Sequence, residues 1–433
     1  MHPKRLILLL FFLVAGMALF AQDTIKIMQY NLLNYGATTA GYCSESNNNT
    51  HDKDESIRTI LEHVKPDIIA VNEFSMVQQL QTNFINNNLN IKGVKYWKSD
   101  DIINHIHSDI INHIFYNSNK MVLSKHSYIA AKYRDVDVYE FYFKTTTLNM
   151  GDTTKLTYVI AHLKAGTGET NASERNVTAQ KIMNYLANNH SSDNVILSGD
   201  FNMYGPDEPA YYNFTQSPSY GNALLIDPIG SQVSNWGTGV FAEHYTQSTH
   251  SDGNGCAAGG GLDDRFDLIL ISDEVRFGNK GIRYVTDSYE AVGNDGHHYN
   301  HSVNTGYNIA VSSEVADALY TVSDHLPVTI KVTLSNPLNI DEHTQNTAFN
   351  LFVSPNPAND HVTLHYSNHE PQTITFDVMT ITGHVVATSQ TYSDKNANSH
   401  MINTSSLADG LYIVRMTGEN GQAVYCKMMI QKR

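Results

Sequence analysis

The chain has 433 residues, 41% hydrophobic and 10% aromatic, which suits a folded protein of more than one domain and excludes a disordered one. Its formal net charge of −15 excludes nucleic-acid binding by blanket positive charge. An anionic substrate would have to be held locally, by bound cations and a few Arg or Lys.

The N-terminus is laid out as a secretory signal peptide over residues 1–21. Lys4 and Arg5 supply positive charge, residues 6–20 are almost unbroken apolar sequence, and Ala21-Gln22 resembles the cut, although Leu19 stands where a small residue is usual. The run is short for a membrane span. An apolar strand over 25–28 then leads to Gln29-Tyr30-Asn31. Ile57, Ile60, Leu61 and Val64 predict a helix over 54–64, which Pro66 and Asp67 stop before a strand over 68–71 that delivers Glu73. Residues 115–123 and 139–143 read as paired strands, with Arg134 between them.

A strand over 158–160 delivers His162. A helix is expected over 173–188, with Asn171 and Glu174 at capping-box spacing and Val177, Ile182, Met183 and Leu186 on its apolar face. A strand over 195–197 delivers Ser198-Gly199-Asp200-Phe201-Asn202. Asp267 lies in Arg265-Phe266-Asp267-Leu268-Ile269, and Asp324-His325 precede a last strand over 328–334. Three cysteines in an exported chain suggest one bridge and one free thiol. The expected pair is Cys43 with Cys256, each in a polar or Gly-rich loop, against the alternative of three free thiols.

These segments share one design: a buried strand ends in a residue that handles metal or phosphate. Phosphodiester hydrolysis needs a neutralised phosphate, an activated water and a stabilised leaving oxygen. Glu73 suits a hard cation. Asp200 and Asn202, two apart, would share a side if the chain is extended there, pairing a carboxylate base with an amide donor. Asp200 would then need its pKa raised to act near neutrality. Asp267 is placed to orient His325 and favour its cationic form.

The order and wording of these pieces, above all Ser-Gly-Asp-Phe-Asn and Ser-Asp-His-Leu-Pro-Val, resemble the endonuclease/exonuclease/phosphatase superfamily over roughly residues 25–334. That resemblance implies a four-layered α/β sandwich of the deoxyribonuclease I type. It implies metal ligation by Glu73, Asn31 and Asp324, with Mg²⁺ as the ion and Mn²⁺ or Ca²⁺ as alternatives. It implies catalysis by His162, Asp200, Asn202, Asp267 and His325, and substrate contacts from Asn31, Arg134 and Asn202. Asn72 departs from the pattern, which usually has Gln there.

A linker is expected over 336–350, dividing a catalytic domain (22–335) from a tail (351–433) of short β runs at 373–378, 385–388, 410–416 and 424–430. Ser354-Pro355-Asn356-Pro357-Ala358, Thr382-Gly383 and residues 407–416 resemble the C-terminal sorting domain of the Bacteroidetes type IX secretion system. The expectation is therefore a monomeric exported or cell-surface protein, a metal-dependent nuclease acting on DNA or RNA, with the type IX machinery as partner. A phosphatase or sphingomyelinase-like phospholipase is the alternative on the same fold, and a non-catalytic binding protein the alternative of another class.

Overall fold

The computed structural model describes residues 24–37, 42–145, 153–230, 236–334, 350–368, 370–380, 384–394, 396–419 and 423–432. It divides into two compact units, Met1–Asn339 and Ile340–Arg433. The expected signal peptide falls outside the described residues, as does the expected linker apart from Asn350, which already lies in strand.

In chain order the first unit runs β1 (Thr24–Tyr35), α1 (Thr50–Val64), β2 (Ile68–Ser75), α2 (Gln78–Phe84), β3 (Trp97–Lys98), β4 (Ile110–Asn117), β5 (Met121–Ile129), β6 (Val136–Phe143), β7 (Lys155–His162), α3 (Glu169–Asn189), β8 (Val195–Asp200), α4 (Pro209–Thr215), β9 (Leu225–Ile226), β10 (Asp267–Ser272), α5 (Asp273–Phe277), β11 (Ile282–Tyr284), β12 (Glu290–Ala291), α6 (Ser313–Val322) and β13 (Val328–Leu334). One sheet has the order β11-β13-β1-β2-β4-β3, with β12 on β13; the other has the order β5-β6-β7-β8-β10-β9. Each sheet holds one parallel pair, β1 with β2 and β7 with β8. Parallel neighbours need a long crossover, and the helices α1 and α3 supply it.

Three buried clusters define four layers. Ile25, Ile27, Ile68, Ala70, Tyr158, Ile160, Ile196 and Ile269 fill the space between the sheets. Met28, Tyr30, Ile69 and Val71 face outward onto Ile57, Ile60, Leu319 and Val322 of α1 and α6. Val159, Ala161, Val195 and Leu197 face outward onto Ile182, Met183 and Leu186 of α3 and Phe214 of α4. The split follows the two-residue pleat of a strand. The expected four-layered α/β sandwich is what the chain forms.

Local expectations fared unevenly. α1 starts four residues earlier than residue 54, because Asn49 caps it by accepting from His51 N and Asp52 N. α3 starts at Glu169 with Gly168 as its cap residue; Asn171 is inside the helix, where its Nδ2 donates to the Thr167 carbonyl. Val177 is exposed, and Arg175 takes the buried place instead. The expected strand over 115–123 is two strands in different sheets: β4 pairs with β2, and β5 pairs with β6. A turn at 117–120 separates them, closed by Lys120 N donating to the Asn117 carbonyl.

The second unit is all β. Asn350–Ser354, His361–Asn368 and Asn396–Asn403 form one antiparallel sheet. Gln372–Thr380, Val385–Ser393, Gly410–Thr417 and Ala423–Ile430 form the other. Val362, Leu364, Phe376, Val414 and Met428 share one core. Cys426, the remaining thiol, lies here. Among the described residues no helix is long and apolar enough to cross a membrane.

Candidate active site

The inner faces of the central strands turn from apolar to polar at one end of the sandwich. Along β1 the inward residues run Ile25, Ile27, Gln29, Asn31; along β2, Ile68, Ala70, Asn72; along β7, Tyr158, Ile160, His162; along β8, Ile196, Ser198, Asp200. Asp267 opens β10 and pairs in register with Asp200, which also pairs with His162. Strand alternation alone therefore delivers Asn31, His162, Asp200 and Asp267 to one edge.

Glu73 breaks that rule. Alternation would send it outward with Val71. The pairing of β2 shifts register between Val71 and Phe74, and Glu73 takes φ +55°, which re-aims its side chain. Its Oε1 accepts from Asn31 Nδ2 at 3.2 Å and its Oε2 from Asn34 N at 3.0 Å. The same Asn31 amide donates to Asp200 Oδ2 at 3.0 Å, while Asn31 Oδ1 accepts from Leu33 N.

Asp200 is the hub. Its Oδ2 lies 3.4 Å from His162 Nε2 and 3.7 Å from His325 Nε2, and its Oδ1 accepts from Asn202 N at 3.0 Å. Gly199 makes this packing possible: a Cβ there would fall 1.7 Å from the Ala161 carbonyl oxygen of the neighbouring strand. The chain is not extended from Asp200 to Asn202. β8 stops at Asp200, and Asn202 reaches the site through a left-handed turn (φ +50°) closed by that Asp200 Oδ1 bond. Burial holds the Asp200 carboxyl well above the usual carboxylate range; His325 pulls it down, and the charges of Asp267 and Glu73 push it further up.

The two histidines are set in opposite states. Burial first, then the positive Arg134 and His325, keep His162 well below its ordinary value, so it is neutral. Burial also works against a charge on His325, but Asp267 and Asp200 outweigh it and hold His325 well above its ordinary value. Asp267 Oδ2 lies 2.7 Å from His325 Nδ1. The Gln247 carboxamide lies 2.7 Å from His325 Nε2; a cationic imidazole requires the carboxamide oxygen on that side.

Asp324 sits beside this cluster, its Oδ1 4.0 Å from His325 Nε2 and its Oδ2 accepting from Ala258 N at 2.8 Å. Arg134 donates to the His162 and Leu163 carbonyls at 3.3 and 3.0 Å, which sets its guanidinium against the strand end that carries His162. Asn202 Nδ2 reaches the Leu163 carbonyl only at 3.5 Å.

Glu73, His162 and Asp200 each offer a donor atom within 4.8 Å of the others. A divalent cation on the Glu73 side of this group would offset the repulsion between the two acids. Asn31 touches two of the three, and Asp324 lies outside this closest group.

Sequence reading missed three contributors. Gln247 comes from an irregular loop with no motif. Asn34 acts through its backbone N–H. Asn72 joins the two sheets: its Oδ1 accepts from Gln29 Nε2 and Asp200 N, and its Nδ2 donates to Asn112 Oδ1 and the Ala161 carbonyl. The Cys43–Cys256 bridge is present.

The sequence profile of the Endonuclease/Exonuclease/phosphatase family matches residues 28–325, and that of the Secretion system C-terminal sorting domain matches residues 353–431. No curated protein matches the chain in sequence. Solved structures similar to it include D. rerio TDP2 complexed with single strand DNA product (13% identity, 72% of this chain and 100% of that one, TM-score 0.43). Others are the human Nocturnin catalytic domain (15%, 73% and 98%, 0.42) and a Bacteroides thetaiotaomicron mannosyl-6-phosphatase (16%, 72% and 100%, 0.40). The second unit is thus a sorting domain that addresses the protein to type IX secretion, and the chain belongs to the endonuclease/exonuclease/phosphatase family of phosphoesterases.

Proposed function

We propose that the first unit is an exported, Mg²⁺-dependent phosphodiesterase that cleaves nucleic acid by water attack on phosphorus. The observation that carries this reading is the meeting of four strand or turn ends at Asp200 Oδ2: Asn31, His162 and His325 lie within 3.0, 3.4 and 3.7 Å, and Asn31 joins Glu73 to them.

Glu73, with Asn31 and Asp324, would hold the cation, which when bound supplies positive charge against the phosphate. Asp200, with its raised pKa, accepts the proton of the attacking water. Asn202, fixed by its backbone bond to Asp200, orients that water and a phosphate oxygen. His162, neutral, donates one N–H to the phosphate. His325, cationic and braced by Asp267, stabilises the charge that builds on phosphorus-bound oxygen. Arg134 supplies a fixed positive charge beside His162.

Nucleic acid is favoured as substrate by the rim. Tyr133 is exposed next to Arg134, with Lys132 Nζ 5.1 Å and Lys164 Nζ 5.6 Å from its ring centroid. Tyr204 is exposed two residues from Asn202. Aromatic faces beside ammonium groups suit bases and backbone phosphates. In this reading residues 1–21 are a signal peptide, 22–335 the hydrolase, 336–350 a linker and 351–433 the sorting domain.

The test is to incubate the mature protein with plasmid, phospholipid vesicles and a chromogenic phosphodiester, each with Mg²⁺ or with chelator. Plasmid nicking that chelator abolishes is expected. Hydrolysis of vesicle lipid without nicking would overturn the nucleic-acid reading. No activity on any substrate, with or without Mg²⁺, would return the protein to a binding role.

A further inference from the structure

The Cys43–Cys256 bridge joins segments 213 residues apart; Cys43 touches a residue that holds one active-site carboxylate, and Cys256 lies two residues from one that holds another. On one side, Asn34 Nδ2 lies 3.2 Å from Cys43 Sγ, while the backbone N–H of the same Asn34 donates to Glu73 Oε2 at 3.0 Å. On the other side, two residues beyond Cys256, Ala258 N donates to Asp324 Oδ2 at 2.8 Å. The Ala258 carbonyl is fixed in turn by Ser248 Oγ at 2.7 Å. Asn254 accepts from Cys256 N and Ala257 N, and exchanges hydrogen bonds with Asn47 across the bridge. Leu33 and Asn34 sit at φ +47° and +50°, backbone states that a non-glycine residue keeps only when its surroundings hold it there. Lys53 and Asn48 clamp the carbonyls of that turn.

We propose that the Cys43–Cys256 disulfide is a positioning brace that sets Glu73 against Asp324, so that divalent-cation affinity depends on the redox state of the bridge. The proposal rests on the cation role given above to those two acids. Reduction by a dithiol breaks the Sγ–Sγ bond: two electrons and two protons pass to Cys43 and Cys256, and the dithiol leaves as its cyclic disulfide. Cys43 is buried, but Cys256 is half-exposed in a solvent-facing loop, so a small dithiol can reach it. A chain exported from a reducing cytoplasm to an oxidising exterior would gain its cation site on leaving the cell.

The experiment measures Mn²⁺ binding by calorimetry on the oxidised protein, on the protein reduced with dithiothreitol, after reoxidation, and on Asn34→Gly. Circular dichroism melts are run alongside. Asn34→Gly keeps the disulfide and the N–H to Glu73, tolerates the positive φ, and removes the side-chain contact with Cys43 Sγ. Reduction is expected to weaken Mn²⁺ binding at least about tenfold at a temperature where the far-ultraviolet spectrum is unchanged, with recovery on reoxidation, and Asn34→Gly about threefold. Equal affinity in oxidised, reduced and Asn34→Gly proteins would overturn the brace while leaving the cation site intact. Absence of Mn²⁺ binding in every form would overturn both.

Discussion

His325 Nδ1 and Asp267 Oδ2 lie 2.7 Å apart, although the two residues are 58 positions apart and reach the site from different sheets. Asp267 opens β10; His325 follows α6 and precedes β13. The pair fixes both the ring's orientation and its charge. Replacing Asp267 by Asn keeps the shape and removes the charge that offsets the cost of burying a cationic ring. The His325 pKa then falls, so its protonated form is lost as pH rises. We expect Asp267→Asn to lower kcat about 10²–10⁴-fold with little change in KM, the loss growing toward alkaline pH. A pH–kcat profile parallel to the wild type would contradict the assignment.

The raised pKa of Asp200 gives the opposite limb. The carboxylate must be unprotonated to take a proton from water, and burial with Asp267 and Glu73 nearby holds the proton on it to higher pH. Activity should therefore fall as pH drops through the weakly acidic range, and kcat/KM measured from pH 5 to 9 should show that limb. Asp200→Asn should lose about 10²–10⁴-fold and flatten what remains. A limb unchanged in Asp200→Asn would assign the base elsewhere.

Arg175 is a buried cation with all its partners in view. It pairs bidentately with Glu208 at 2.7 Å for both bonds, and its Nη1 donates to the Lys164 and Gly166 carbonyls. It ties α3 to the loop that follows His162. Arg175→Ala leaves Glu208 with the Tyr204 N–H but without its cation and should cost about 3–5 kcal/mol in denaturant unfolding. A cost under about 1 kcal/mol would mean that water replaces the guanidinium.

What the sequence made legible was pattern with a fixed period. Inward positions on β1, β7 and β8 carry Asn31, His162 and Asp200 because the pleat repeats every two residues. Where geometry departs from the repeat, reading failed or came out right for the wrong reason. Glu73 arrives through a register shift, and Asn202 through a left-handed turn where an extended segment was expected. Arg175 was passed over because a charged residue on a helix reads as solvent-facing until its distant partner Glu208 is known. Gln247 contributes from irregular chain, which has no period to read, and Asn34 from the end of β1, where a positive φ and a register shift break the repeat. The pairing expected between 115–123 and 139–143 was half right: residues 121–123 pair with 141–143 in β6, but the turn at Asn117 leaves 115–117 in the other sheet.

His113 gives a stability prediction away from the site. Burial, with a smaller contribution from His126, lowers it to about 3. The unfolded chain takes up a proton near pH 6.5 and the folded chain does not, so stability is lost as pH falls from about 6.5 toward 3. Asp137, pushed up to about 6 by burial, acts in the opposite sense over a narrower window. Between pH 7 and 5 the wild type should lose roughly 2 kcal/mol through His113, at about 1.4 kcal/mol per pH unit. His113→Phe should lack that part of the slope in urea unfolding at the two pH values. Parallel slopes would show that His113 is already charged in the fold.

The central claim is that Glu73, His162, Asp200, Asn202 and His325 surround one cation and one phosphate. A crystal structure with Mn²⁺ and a short phosphorothioate oligonucleotide, read by anomalous scattering, addresses it most directly. The account predicts one manganese peak bonded to Glu73 at about 2.0–2.2 Å, with the nearest phosphorus between His162, Asn202 and His325. A manganese peak away from Glu73, or an oligonucleotide bound on another face with the cleft empty, would contradict it.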